Sequence, residues 1–179
     1  YSSTKKKSAG IVQISIGILT VILVVLIIAM MMIVSSIQGT ARIVNYAGLV
    51  RGKTQRIVKL EISGKQEDDM IQEIESFIDG LMNGNKELNL VRLEDSDFQT
   101  KMEELNEYFL MLEQEIMQVR AYGADKTQIL SKSEHFFEIC DEATGLAEVY
   151  SQRKASLLSV FEKYITADIV VLMLLIGYE

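Results

Sequence analysis

The stretch that decides the fold is residues 11–62, IVQISIGILTVILVVLIIAMMMIVSSIQGTARIVNYAGLVRGKTQRIVKLEI. It contains no proline, and neither does the rest of the 179-residue chain, so the commonest residue that breaks helices is absent. Long uninterrupted helices are therefore expected. The Ser63-Gly64 pair that follows this stretch is a usual helix stop, so the first helix is predicted to end near Ile62.

The first half of this stretch, Ile11 to Val34, is almost entirely apolar. At about 1.5 Å per residue it is long enough to cross a hydrocarbon layer of roughly 30 Å, and it exceeds the apolar core of a cleaved signal peptide. Residues 11–34 are therefore predicted to form a transmembrane helix. Three lysines just before it, within residues 1–10, indicate a cytoplasmic tail, because positive clusters favour the cytoplasmic side.

A second apolar run, Ile165 to Tyr178, closes the chain and carries Asp168 near its start. This run is short for a membrane span, so residues 165–179 are interpreted as the start of a second transmembrane helix that is cut short. The chain also begins at Tyr1 rather than at methionine. We therefore expect a piece of a longer protein whose output domain lies outside this sequence.

Residues 35–164, between the two apolar runs, have helical periodicity interrupted by glycine and polar residues. Four helices are predicted: one to Ile62, one from Gln66 to Met82, one from Asp95 or Ser96 to Ala121, and one from Lys126 through Tyr164. They are separated by a connector, Asn83 to Asp95, and a turn, Tyr122 to Asp125. The fold class is therefore all-α, an antiparallel up-down four-helix bundle continuous with two transmembrane helices.

Residue patterns typical of catalysis or metal binding are missing from the sequence. The one histidine, His135, has no cysteine partner nearby, and there is no phosphate-binding glycine loop, nucleophile elbow or CxxC motif. We expect no catalytic site, metal or cofactor in this chain. The net charge is −7, and no nucleic-acid partner is expected.

Arg51 has the most informative position among the charged residues. Residues that recur every seven positions share one helix face, and four do so here: Ile37, Val44, Arg51 and Val58. Arg51 is therefore predicted at a core position, flanked by the small residues Ala47 and Gly48. A buried guanidinium needs a compensating anion. In a parallel homodimer, two copies of Arg51 would bind a small anion between them; alternatively, Arg51 pairs with an acidic residue of another helix.

The stretch VNYAGLVRGKTQRI, from Val44 to Ile57, resembles a known conserved sequence motif, called here the box. It is similar to the conserved box of bacterial nitrate/nitrite sensor kinases and of the type IV pilus methyl-accepting chemotaxis transducer N-terminal family. The matching residues are Asn45, Ala47, Gly48, Arg51 and Arg56, with Gln55 as in the pilus-transducer version. The resemblance implies a homodimeric four-helix sensor bundle in which Arg51 of both copies binds a small oxyanion, assisted by backbone near Gly48.

Three residues of the box are expected to support the structure rather than to bind the ligand. Arg56 lies roughly 140° around the helix from Arg51, so it is predicted to pair with an acidic neighbour. Asn45 is predicted to form a hydrogen bond between helices, and Gln55 is assigned to the same supporting group. Gly52 departs from the large apolar residue that usually follows the arginine in these families.

The predicted function follows from this combination of an anchor, a bundle and an arginine site. We expect an extracytoplasmic ligand-sensing domain, residues 35–164, in the bacterial cell membrane. It would bind a small anion such as nitrate or nitrite at a homodimer interface and signal to a cytoplasmic kinase, chemotaxis domain or diguanylate cyclase. The alternative is a structural dimerisation module without a small-molecule ligand.

Overall fold

The computed structural model describes residues 2–123 and 125–178, with side chains from Ser8 onward. The chain forms four α-helices, which are α1 (Ser2–Ile62), α2 (Asp68–Asn83), α3 (Ser96–Tyr122) and α4 (Lys126–Tyr178). Within the described residues there is no β-strand, only an isolated antiparallel bridge between Asn85 and Leu90. The predicted all-α class and the four helices are confirmed.

Local sequence signals set the helix ends. The Asp95 side chain accepts a hydrogen bond of 3.0 Å from the backbone N–H of Phe98 and so caps the N-terminus of α3. At the other end of α3, Gly123 has the left-handed conformation (φ 63°), and its N–H donates to the Val119 carbonyl. Ala124, the third residue of the predicted turn, lies outside the described residues. α2 begins two residues later than predicted, at Asp68.

The chain divides into two compact units, which are described separately. Residues 38–151 form the first, called here the bundle unit; the second, the apolar unit, comprises the residues up to Ile37 and those from Gln152 onward.

The contacts within the bundle unit show which of its helices run antiparallel to each other. Between α1 and α2, Tyr46 contacts Phe77 and Lys53 pairs with Glu73. Between α3 and α4, Lys101 pairs with Glu142 and Phe109 contacts Phe136. Arg51 pairs with Asp141, and the Lys126 ammonium donates to the Ile62 carbonyl, so α4 also runs antiparallel to α1. This order of contacts is that of an up-down bundle.

The core of the bundle unit is built from apolar side chains of all four helices and of the connector between α2 and α3. Its largest fully buried members include Ile43, Ile74, Phe98 and Phe136. Leu90 and Leu93 bring the connector into the same core. Asn85 orders this connector, because its side-chain oxygen accepts hydrogen bonds from the backbone N–H groups of Glu87 and Leu88.

The apolar unit exposes most of its large hydrophobic side chains. Within the described residues one helix, α1 from Ser8 onward, contains a segment long and apolar enough to cross a membrane, and none of that segment is buried. On α4, Asp168 is buried beside Leu19 and Ile22, and one of its carboxylate oxygens has no hydrogen-bond partner. The second span and the domain limits at residues 10, 34 and 164 stay predictions.

Candidate functional site

The buried face of α1 within the bundle unit determines where Arg51 lies. Its members alternate by four and three residues: Ile43, Ala47, Val50, Thr54, Ile57 and Glu61, with Val58 beside them. Arg51 is one position past Val50, at the edge of this face, and its side chain is 36% exposed. The prediction that Arg51 occupies a core position is therefore wrong within a single chain.

The physical reason is the mismatch between a seven-residue repeat and a straight helix. Seven residues of an ideal α-helix turn about 20° less than two full turns, so residues spaced by seven shift steadily around the helix. Along the predicted stripe, Ile37, Val44 and Arg51 are only partly buried, whereas Val58 is fully buried in the bundle core. The stripe therefore crosses from the edge of the core into it.

Arg51 is held at the surface by two residues of α4. Its Nη1 atom donates a hydrogen bond to Asp141 Oδ1 at 2.6 Å, and its guanidinium carbon lies 4.9 Å from the centre of the Phe137 ring. A cation over an aromatic face at this distance is attracted to it. The Asp141 side chain is 62% exposed, so the pair is a surface ion pair and not a buried one.

Cys140 is buried directly behind this ion pair, next to Asp141 in sequence. Burial raises the pKa of the Cys140 thiol to about 12, although the positive charge of Arg51 opposes the shift. The sulfur is therefore an uncharged, unreactive thiol at neutral pH. It belongs to the packing beneath the site and not to the chemistry at the surface.

The two small residues predicted beside Arg51 have different positions. Ala47 is fully buried, so its side chain belongs to the bundle core and does not face the surface that carries Arg51. Gly48 is partly exposed, and a Cβ atom built on it would meet nothing within 4 Å. Gly52, one turn further along, is equally open. The two glycines therefore leave open positions on the surface of α1 beside Arg51.

The three supporting residues of the box face outward or lie at the edge of the bundle. Asn45 and Arg56 are exposed, and Gln55 is partly buried. Arg56 forms no ion pair with any side chain in the described part of the chain, so the predicted acidic partner is not found there. Asn45 and Gln55 likewise make no side-chain hydrogen bond to a described residue.

The site contains two residues that sequence reasoning missed, Phe137 and Asp141. They are four positions apart and so lie on one face of α4. The sequence signal for these residues was an aromatic residue one helical turn before an acidic residue. It did not identify Arg51 as the partner, because 90 residues separate Arg51 from Asp141.

A second charged cluster joins α1, α2 and α3 at the end of the bundle unit where α1 ends. Arg120 donates to both carboxylate oxygens of Glu61, at 3.0 and 2.5 Å, and to Asp68 at 2.6 Å. The Glu61 side chain is 2% exposed and that of Arg120 13%. These hydrogen bonds raise the pKa of Arg120 above its already high value, so the guanidinium stays charged. Such a closed, bidentate pair is a structural contact between helices.

His135, the one histidine, is exposed on α4, where its Nδ1 atom lies 3.2 Å from Glu138 and its ring packs edge-on against Tyr108. Among the described residues there is no group of three or more histidine, cysteine or acidic side chains arranged to hold a metal ion.

Comparison with known proteins shows a similarity of fold to a solved structure. No family model matches the sequence, and no curated protein sequence matches it. Among solved structures, the chain is similar to the ligand-binding domain of the P. aeruginosa nitrate receptor McpN, with a TM-score of 0.56 and 18% sequence identity. The match covers 62% of this chain and 96% of that one. The chain therefore contains the fold of a receptor's ligand-binding domain.

Proposed function

We propose that this chain is the ligand-sensing input part of a bacterial transmembrane receptor. The fold that it shares with a receptor's ligand-binding domain supports a sensory role. The long exposed apolar segment of α1 supports a position in the cell membrane, with the bundle unit outside the cytoplasm. The signal would pass to a cytoplasmic output domain, such as a kinase, a chemotaxis domain or a diguanylate cyclase, and we assign no catalysis to this chain.

Arg51 is the residue proposed to bind the ligand, through an anionic group such as nitrate, nitrite or an organic carboxylate. The observation that carries this proposal is its exposed pair with Asp141. Surface ion pairs contribute about 0–1 kcal/mol to stability, so the protein loses little stability when an oxyanion replaces Asp141 as the partner of Arg51. The Phe137 ring keeps the guanidinium oriented during the exchange, and the planar fork of arginine suits bidentate binding of an oxyanion.

The ligand is proposed to bind where two copies of the chain meet along α1. Gly48 and Gly52 are open to the surface and would let a second backbone approach closely, and the exposed Leu49 between them would become buried. Two Arg51 guanidinium groups facing each other repel, and an anion between them removes the repulsion. One helix, α1, carries both Arg51 and the apolar segment, so a movement at the site has a helical route towards the membrane.

The alternative function is a structural dimerisation module without a small-molecule ligand. The hydrogen bond from Arg51 to Asp141 favours it, because Arg51 already has an anionic partner. The two proposals differ in what the removal of Arg51 does. A ligand site loses its response to anions, whereas a purely structural pair loses only its own small contribution to stability.

The test is a thermal-unfolding screen on the whole chain in a mild detergent, with nitrate, nitrite and small carboxylates. A ligand that binds only the folded protein adds about 2.7 kcal/mol at a hundredfold excess over its dissociation constant. The wild type is expected to melt higher with at least one of these anions. Arg51→Leu is expected to lose that increment.

The matched control is Arg56→Leu, which removes an equally charged, exposed side chain five residues away on the same helix. This variant should retain the response to the anion. A wild type indifferent to all anions tested, with an Arg51→Leu variant that is only less stable, contradicts the ligand-binding proposal and favours the structural module.

A further inference from the structure

A groove lies beside Arg51 on α4, with a volume of about 450 Å³, large enough for a small organic molecule. Its lining residues are Phe137, Glu138, Asp141 and Glu142. The groove therefore combines an aromatic surface with three carboxylates, and the guanidinium of Arg51 stands at its edge, in contact with both Phe137 and Asp141.

Two of the three carboxylates of this groove have a cationic partner before any ligand binds. Asp141 pairs with Arg51 at 2.6 Å, and Glu142 pairs with Lys101 at the same distance. The hydrogen bond and the charge of Lys101 lower the pKa of Glu142, so its carboxylate stays ionised at neutral pH. Glu138 lies 3.2 Å from the Nδ1 atom of His135. Three carboxylates against one guanidinium give the groove with Arg51 a negative formal charge.

A simple anion satisfies only the Arg51 half of this environment. If it took over Arg51, the Asp141 carboxylate would lose its partner while Glu138 and Glu142 remain nearby on the same helix. Like charges at this spacing repel each other. The ligand that avoids this cost brings a positive group for Asp141 together with the negative group for Arg51.

We propose that the ligand is a small organic zwitterion of the α-amino acid class. Its carboxylate binds Arg51, its ammonium group binds Asp141, and its remaining atoms pack on Phe137. The one existing ion pair is thereby replaced by two, and no charged group loses its partner. This inference rests on the proposed function, since it names the class of ligand that Arg51 binds; the groove lies within one chain, so this ligand does not require the second copy.

The exchange also gives ligand binding a mechanical consequence. Arg51 belongs to α1 and Asp141 to α4, and their side chains are in direct contact without ligand. A molecule inserted between the two charged groups separates them by several ångströms, since it adds two ion-pair contacts and its own atoms between them. The ligand therefore bridges α1 and α4 in place of the direct ion pair at this level of the bundle unit.

The experiment measures ligand affinity by calorimetry and thermal unfolding on the whole chain in detergent. The probes are the twenty common amino acids, followed for each active one by its carboxylate lacking the amino group and its amine lacking the carboxylate, for example propionate and ethylamine for alanine. At least one amino acid should bind, with both truncated probes at least about tenfold weaker, since each loses a charge-assisted contact.

Asp141→Asn gives the sharpest test, because the two ligand classes predict opposite signs. For a zwitterion the variant removes the partner of the ammonium group, so affinity should fall about tenfold or more. For a simple anion it frees Arg51 from a competitor and affinity should rise. The control is Glu148→Gln, which removes an exposed acid from the same helix outside the groove and should leave affinity unchanged.

The remaining outcomes separate this inference from the proposed function. Binding of nitrate or a plain carboxylate that requires Arg51 and strengthens in Asp141→Asn overturns the zwitterion and leaves the anion sensor standing. If neither amino acids nor anions bind the wild type, both the inference and the proposed ligand site are overturned.

Discussion

Replacement of Arg120 by methionine tests the structural contact between α1 and α3. The variant keeps the length and apolar stem of the side chain but leaves the Glu61 carboxylate, which is 2% exposed, without its bidentate partner. A buried charge that loses its partner typically costs 3–5 kcal/mol. Loss of the bond to the exposed Asp68 adds at most about 1 kcal/mol.

The expected fall in Tm depends on the number of residues in the bundle unit that unfolds. For about 110 residues, an unfolding entropy near 2.1 cal/mol/K per residue converts a cost of 3–5 kcal/mol into a fall in Tm of roughly 13–22 °C. Far-ultraviolet circular dichroism during heating of the whole chain in detergent measures the transition. The bundle unit is expected to show this loss, while helicity of the apolar segment is retained in the micelle.

Two further variants make the reasoning refutable. The double variant Arg120→Met with Glu61→Leu removes both charges, so it should recover most of the lost stability, because buried ion pairs are often replaceable by apolar residues. Asp68→Asn alone should change stability by less than about 1 kcal/mol. An Arg120→Met variant that melts within about 2 °C of the wild type would refute the claim that this pair is buried and closed.

Five other substitutions test packing, titration and glycine positions in the same unfolding assay. Phe136→Ala, in the core, should cost about 3–5 kcal/mol, whereas Leu110→Ala, on the exposed side of α3, should cost less than about 0.5 kcal/mol; equal losses would contradict the assigned core. Burial raises the pKa of Glu113, with a smaller contribution from a nearby carboxylate. The folded state therefore favours the protonated carboxyl group. This stabilisation is present at low pH and is lost as pH rises. Glu113→Gln should therefore raise Tm at pH 7 more than at pH 4, and an equal change at both would show that the carboxyl is not perturbed. Gly145→Ala, where an added Cβ meets nothing within 4 Å, should stabilise α4 by about 1 kcal/mol. Gly80→Ala should not, because its Cβ would lie 3.0 Å from Leu90, and a gain as large as that at Gly145 would contradict the tight contact with the connector.

The sequence by itself determined the helices and most of their ends. The absence of proline permits a helix as long as α1, and the ends depend on short-range signals such as the Asp95 cap and the glycine at position 123. These signals act within a few residues, so they are visible without the rest of the molecule. The four-helix architecture that the resemblance around Arg51 implies likewise agrees with the helices of this chain.

Only the tertiary structure decided which side of α1 is buried and what Arg51 contacts. A seven-residue stripe drifts around a straight helix, so the sequence repeat alone did not separate the buried Ala47 from the exposed edge at Arg51. The partners Phe137 and Asp141 come from α4, and helical periodicity carries no information about which helices become neighbours. The bundle brings the two helices together because burial of their apolar faces is favourable in any compatible arrangement, and the specific packing then fixes which charged side chains meet at the rim.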